Sequence, residues 1–254
     1  MTLTVLGAGF AVALGATLQR ISGMGMGLIA APVLSILLGP VDGVLLVNIT
    51  AVMNAAVNCW GMRADIDWAK FAPIAGALIV GVIPAAWVIP RVSTDILLIL
   101  VGVLLLIALS VVTLGKRYVP RIEGVVPAAT AGAIGGFMNT LSGVAGPAIT
   151  VYAQAARWDQ RMYAATLQPI FLCAGTLSFF GKQLAGAADV TAIAPAFWAS
   201  IGLGLGMGIA AGATLAPRVP LAQARRIALS LAFLGGATAL VRGLIGLIGV
   251  GQVT

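Results

Sequence analysis

The stretch Leu18-Gln19-Arg20-Ile21-Ser22-Gly23-Met24-Gly25-Met26-Gly27, followed by Pro32, interrupts an apolar run near the N-terminus. A shorter echo, Met138-Asn139-Thr140-Leu141-Ser142-Gly143, followed by Pro147, interrupts another apolar run at an offset of 120 residues. A glycine-rich stretch makes a poor helix start. Non-helical backbone at membrane depth is tolerated where it is buried in protein or lines a wet cavity. Further along, Pro90-Arg91-Val92 matches Pro217-Arg218-Val219 at an offset of 127. Two matches in the same order, around the polar midpoint Lys116–Glu123, read as an internal duplication.

The surrounding composition names the solvent. Of the 254 residues, 61% are hydrophobic and 8% charged, against roughly 45–50% and about 25% in ordinary soluble domains. So few charges cannot cover a water-soluble surface of this size. Ile96 to Gly115 and Val190 to Pro217 hold no ionisable side chain, and each is long enough for an apolar layer of about 30 Å. An all-α polytopic membrane protein is expected, because backbone groups in lipid need internal partners and the alternation of a barrel is missing. Ten apolar segments are expected, at 3–19, 23–38, 41–61, 71–89, 95–115, 125–139, 144–156, 160–182, 192–215 and 225–249. They divide into a first membrane repeat over 1–115, a cytoplasmic linker over 116–124 and a second membrane repeat over 125–254.

The charges give an orientation. The net charge of +7 is spread singly or in small groups between apolar segments, which suits membrane topology and argues against nucleic acid as a partner. Alternating segments put Arg63, Lys70, Lys116, Arg117, Arg121, Arg157, Arg161, Arg218, Arg225 and Arg226 on one side, and Arg91 and Lys182 on the other. Ten against two is a strong positive-inside bias, so the larger set is cytoplasmic and both termini face outward. Five segments per half, an odd number, invert the second half relative to the first, the inverted-topology repeat of many secondary transporters. The first two segments of each half read as a re-entrant or broken-helix hairpin, since 144–156 spans only about 20 Å at 1.5 Å per residue. Met1–Val5 has no basic residue before the apolar run, so the first segment is expected to be retained.

Two hairpins entering from opposite sides would bring Gln19, Arg20, Ser22 and Gly23 towards Asn139, Thr140, Ser142 and Gly143. Helix N-termini carry partial positive charge and unsatisfied donors, so the pair favours an anion. Arg20 could grip an oxyanion bidentately if it lies deep, or snorkel if it lies at an interface. The amides and serine hydroxyls would bind the anion's oxygens, and the Gly23 and Gly143 backbones would supply N–H donors. Asn48 and Gln168, each about a third of the way along its segment, are second-tier candidates; the bland reading of these, and of Asn54, Asn58 and Thr166, is hydrogen bonding between helices. Met24, Met26, Cys59 and Cys173 read as apolar filler, and the run from Gly202 to Gly208 as close helix packing. Arg242 has either a polar partner or a path to the outer interface.

No metal, cofactor or catalytic residue is expected. There is no histidine, and the two cysteines lie in different membrane segments, which removes His/Cys metal sites and disulfide scaffolds. Paired carboxylates and Ser/His/Asp sets are missing, and no acid lies clearly inside a membrane segment.

The sequence resembles the sulfite exporter TauE/SafE family, also called the 4-toluene sulfonate uptake permease family. The resemblance rests on Ser22-Gly23-Met24-Gly25-Met26-Gly27 with Pro32, on the echo Ser142-Gly143-Val144-Ala145-Gly146-Pro147, and on the duplicated layout over essentially the whole chain. Members often have a fuller glycine run where this chain has Met24 and Met26. The resemblance implies a multi-pass transporter of sulfite, sulfoacetate, thiosulfate or organosulfonates in the cytoplasmic (inner) membrane. Its partners would be the small anion and the lipid bilayer, with a homodimer as an open option. The alternatives are a passive anion channel, a carrier of another small carboxylate or oxyanion, and a membrane scaffold.

Overall fold

A computed structural model describes residues 2–114 and 121–250. Among these residues the chain forms ten α-helices: α1 (Thr2–Ser22), α2 (Met26–Leu38), α3 (Pro40–Met62), α4 (Trp68–Val88), α5 (Thr94–Leu114), α6 (Val125–Ser142), α7 (Gly146–Ala155), α8 (Gln160–Leu184), α9 (Pro195–Leu215) and α10 (Leu221–Val250). Each expected apolar segment corresponds to one helix. Six are long and apolar enough to cross a membrane: α1, α3, α4, α8, α9 and α10. By contrast α2, with 13 residues, and α7, with 10, extend only about 20 and 15 Å at 1.5 Å per residue. Lys116, Arg117 and the first part of the linker lie outside the described residues. Arg121 pairs with Glu123 just beyond.

Local chemistry sets the helix boundaries. Pro40 and Pro195 occupy the first turns of α3 and α9, where a missing N–H costs nothing. Asp67 caps α4 by accepting from the Lys70 N–H, and Asp159 caps α8 by accepting from the Arg161 and Met162 N–H groups. The side-chain bond from Lys70 lowers the Asp67 pKa. Backbone bonds from Met162 and Arg161 lower that of Asp159. At the other ends, α1 stops at Gly23 (φ 80°) and α6 at Gly143 (φ 72°), the left-handed conformation that glycine adopts without steric penalty.

The halves are interleaved. Helix α1 packs along α9 and α6 along α4, while α3 packs on α8 and α5 on α10. At the α4–α6 seam Gly81 lies against the Ala133 carbonyl; at the α1–α9 seam Gly208 lies against that of Ala13. A Cβ on either glycine would overlap the carbonyl oxygen. Ala13 and Ala133 differ by 120 positions and Gly81 and Gly208 by 127, the two offsets of the sequence matches. Small residues let helix backbones approach closely where lipid gives no hydrophobic drive to associate. The glycine run of α9 follows this logic: Gly204 and Gly208 face α1, while Gly202 and Gly206 have open space around them.

The largest core cluster joins Met24, Met26 and Leu34 to Val44, Leu45, Ile149, Leu167 and Ile170. Val80, Ile83, Leu203, Met207, Ile245 and Ile248 are exposed, an apolar exterior suited to lipid. Arg242 acquires a definite role. Its guanidinium donates to the Ile36 carbonyl at 2.8 Å, satisfying an acceptor that the last turn of α2 leaves free.

Candidate functional site

The two breaks occur where the sequence places them, yet most of the expected tip residues are helical. Helix α1 continues through Gln19, Arg20 and Ser22, and α6 through Asn139, Thr140 and Ser142. The Gly23 N–H returns to the Gln19 carbonyl and the Gly143 N–H to that of Asn139, both at 2.8 Å. These two donors close the ends of α1 and α6, which corrects the expectation that they are free for an anion. Among the described residues no backbone hydrogen bond uses the N–H groups of Met24, Gly25 and Gly27 in the first break, or of Val144, Ala145 and Gly146 in the second. The breaks touch: a Cβ on Gly27 would overlap the Gly143 carbonyl oxygen.

Two buried amide pairs tie the halves together beside the breaks. Gln19 Nε2 donates to Gln168 Oε1 at 3.2 Å, linking α1 to α8. Asn139 Nδ2 donates to Asn48 Oδ1 at 3.3 Å, linking α6 to α3. Moving every residue of the first pair by 120 positions, Gln19 forward and Gln168 back, produces the second pair. Each bond is anchored further. Gln19 Oε1 accepts from the Met26 N–H at 3.2 Å, and Gln168 Nε2 donates to the Ala164 carbonyl at 2.9 Å. Asn139 Nδ2 also donates to Ser178 Oγ at 2.9 Å. Ser178 lies 2.8 Å from Thr140 Oγ1, which donates to the Gly136 carbonyl.

The serines and Arg20 do not have the arrangement expected of them. Ser22 Oγ bonds the Leu18 and Met24 carbonyls at 2.8 and 2.6 Å, and Ser142 Oγ donates to the Met138 carbonyl at 2.7 Å. Both hydroxyl protons are therefore engaged by backbone. Arg20 Nη1 donates to Asn58 Oδ1 at 3.0 Å, and its guanidinium lies against Gly61 near the end of α3. Its long side chain leads away from the breaks, the snorkelling alternative, because Asn58 and the bare Gly61 surface receive it there. Thr166 is also engaged elsewhere, accepting from the Asp67 N–H at 3.0 Å.

Two cavities adjoin the breaks. The smaller, about 30 Å³, lies between them and is lined by Gln19, Gly25, Asn139, Gly143, Val144 and Met24. That volume suits one or two waters. The larger, about 400 Å³, is lined by Ser22, Thr150, Tyr163, Arg157, Arg225 and, again, Met24. Met24 is buried on the border of both. Its sulfur lies 3.4 Å from Thr150 Oγ1 and 3.5 Å from the Tyr163 hydroxyl, and those two oxygens are 2.6 Å apart. A methionine read as filler thus separates a roomy cavity from a tight one.

Three cations that entered only through the count of charges on each side prove to be more. Arg157 and Arg225 converge on the larger cavity. Lys182 is 0% exposed, and its Nζ has no hydrogen-bond partner among the described residues. It lies one turn beyond Ser178 on α8. The stripe Ala164, Gln168, Phe171, Gly175, Ser178, Lys182, spaced three and four apart, is the signal that could have placed it inside. Both side-chain polar atoms of Asn54 are likewise buried without a partner among the described residues.

The profile of the family described as Sulfite exporter TauE/SafE matches residues 7–239 of the chain. Neither a curated protein nor a solved structure matches it.

Proposed function

The chain belongs to the sulfite exporter TauE/SafE family, and from that premise we propose that it carries a small sulfur-containing anion across the cytoplasmic membrane by alternating access. Sulfite, sulfoacetate, thiosulfate and organosulfonates form the candidate set. The observation that carries this reading is the contact of two helix breaks around one small cavity, with unused backbone N–H groups on both sides. Aligned N–H donors at helix starts favour an oxyanion. Gln19 and Asn139 line the same cavity and can turn their amide N–H groups onto the anion as they leave Gln168 and Asn48.

The amide pairs also suggest how access alternates. Each pair bridges the two halves, and a path to one side opens by parting one pair while the other holds. In the orientation given by the positive-inside rule, the termini face outward and the two halves are inverted repeats. The larger cavity, with Arg157 and Arg225, then faces the cytoplasm. Met24 between the cavities favours a carrier over a passive channel, because an anion passes only after the methionine moves.

Thermal unfolding of the purified protein tests the assignment, run at matched ionic strength against sulfite, sulfate, thiosulfate, sulfoacetate, taurine and acetate. A ligand at a hundredfold excess over Kd stabilises the folded state by about 2.7 kcal/mol. A selective rise in Tm with one sulfur anion, followed by saturable flux of that anion into proteoliposomes, is expected. Equal responses to all six would overturn the sulfur assignment, and unsaturable conductance would overturn the carrier.

A further inference from the structure

The larger cavity has a basic lining of its own. Arg157 and Arg225 line it, and no aspartate or glutamate does. Neither guanidinium takes part in an ion pair among the described residues. Arg157 has φ 55°, the one non-glycine residue at positive φ among those described. That left-handed turn closes α7, with the Trp158 N–H on the Ala153 carbonyl at 2.9 Å, and it fixes Arg157 beside the cavity. Trp158 and Gln154 also line it. At the inner end stand Ser22, Thr150, Tyr163 and Met24.

We propose that this vestibule is a separate loading site for an oxyanion, held by Arg157 and Arg225 beside the Trp158 indole, before Met24 admits it to the cavity between the breaks. The inference rests on the transport reading for the identity of the anion as a sulfur oxyanion. Planar guanidinium groups match the oxygens of a sulfite or sulfonate, and these two have no carboxylate partner among the described residues to compete with it. With about 400 Å³, the vestibule also accommodates an anion with an organic body, which the cavity between the breaks does not in this conformation.

The test uses the full chain in neutral detergent and follows tryptophan emission during titration with sodium sulfite or sulfoacetate, with sodium phosphate and chloride at equal ionic strength. The Trp158→Phe variant identifies the Trp158 component. A saturable change in that component with the sulfur anions is expected, with its midpoint raised at least tenfold in Arg157→Gln and in Arg225→Gln. Arg157→Gly guards against misfolding, since it relieves the backbone and should keep or raise Tm while weakening binding equally. An unchanged midpoint in these variants overturns the site, as does an equal response to phosphate. A Trp158 response confined to phosphatidylglycerol vesicles also overturns it, because the ligand would then be a lipid headgroup. Flux in proteoliposomes separates the two readings. Binding without transport leaves the vestibule standing and removes the carrier, whereas transport at unchanged KM in the Arg157→Gln/Arg225→Gln double variant removes the vestibule alone.

Discussion

The first break and the helix end before it hold Met24 and Arg20 where the second, 120 residues on, has Val144 and Thr140. Around these differences the frame is shared: a glycine closes each preceding helix, and a buried amide pair reaches across to the other half. The variable positions go separate ways. Arg20 reaches Asn58 at one end of α3, whereas Thr140 meets Ser178. Both partners, Asn58 and Ser178, are themselves 120 positions apart. Met24 borders the larger cavity, while Val144 lines only the smaller one. The matching positions thus carry the bonds that join the two regions, and the unmatched ones make the approaches to the centre unequal.

The strongest blow to this comparison is Gly27→Val, which drives a branched side chain into the Gly143 carbonyl and separates the breaks. A loss of at least about 3 kcal/mol, the upper end for overpacking, should appear as a collapsed Tm and a non-uniform profile on size exclusion. A wild-type Tm would break the contact. Next, Gln19→Ala and Asn139→Ala should cost similar amounts, roughly 2 kcal/mol each, because each leaves two buried groups without their bond. Equilibrium unfolding that found one harmless would end the equivalence of the two pairs.

Lys182→Met has the opposite sign. Removing a buried amine with no partner among the described residues should raise stability by about 1 kcal/mol or more. Arg20→Met, by contrast, should cost about 1 kcal/mol or more, because it leaves the buried Asn58 Oδ1 without its donor. A lower Tm for Lys182→Met would mean that the lysine has a stabilising partner in the folded protein. The smallest effects belong to the serines. Ser22→Ala and Ser142→Ala should each cost under about 1 kcal/mol, with Ser22 the costlier because its hydroxyl meets two carbonyls. Flux at saturating substrate should stay within about twofold of wild type in both.

Much of this arrangement was legible from residues 18–27 and 138–147 and from the apolar runs between charges, because helices in lipid leave few alternatives. The breaks were placed correctly. The error concerned the residues just before them, where Gln19-Arg20 and Asn139-Thr140 look like loop by polarity while a glycine three or four positions later decides where the helix stops. Arg20 escaped because a long side chain's destination depends on the surface beside it, here Asn58 and Gly61, which no local pattern reveals. Lys182 escaped for a different reason. At the end of an apolar segment it passes for a boundary charge until its three-and-four spacing with Gln168 and Ser178 is followed along α8. The pairing of the two amides across the halves follows from the duplication once the offset of 120 is applied to both partners.

The seams that join α1 to α9 and α4 to α6 set a timetable for biosynthesis. When α1 leaves the ribosome, the helix against which its Gly9 and Ala13 will pack has not been made. At 5–20 residues per second, about 10–40 s pass before α9 is complete. Until then α1 lacks that partner, whereas α6 is complete well before α9 and gives α4 its seam earlier. The native packing of α1 is thus a late event, and a nascent chain halted before α9 would remain an unfinished assembly for membrane quality control.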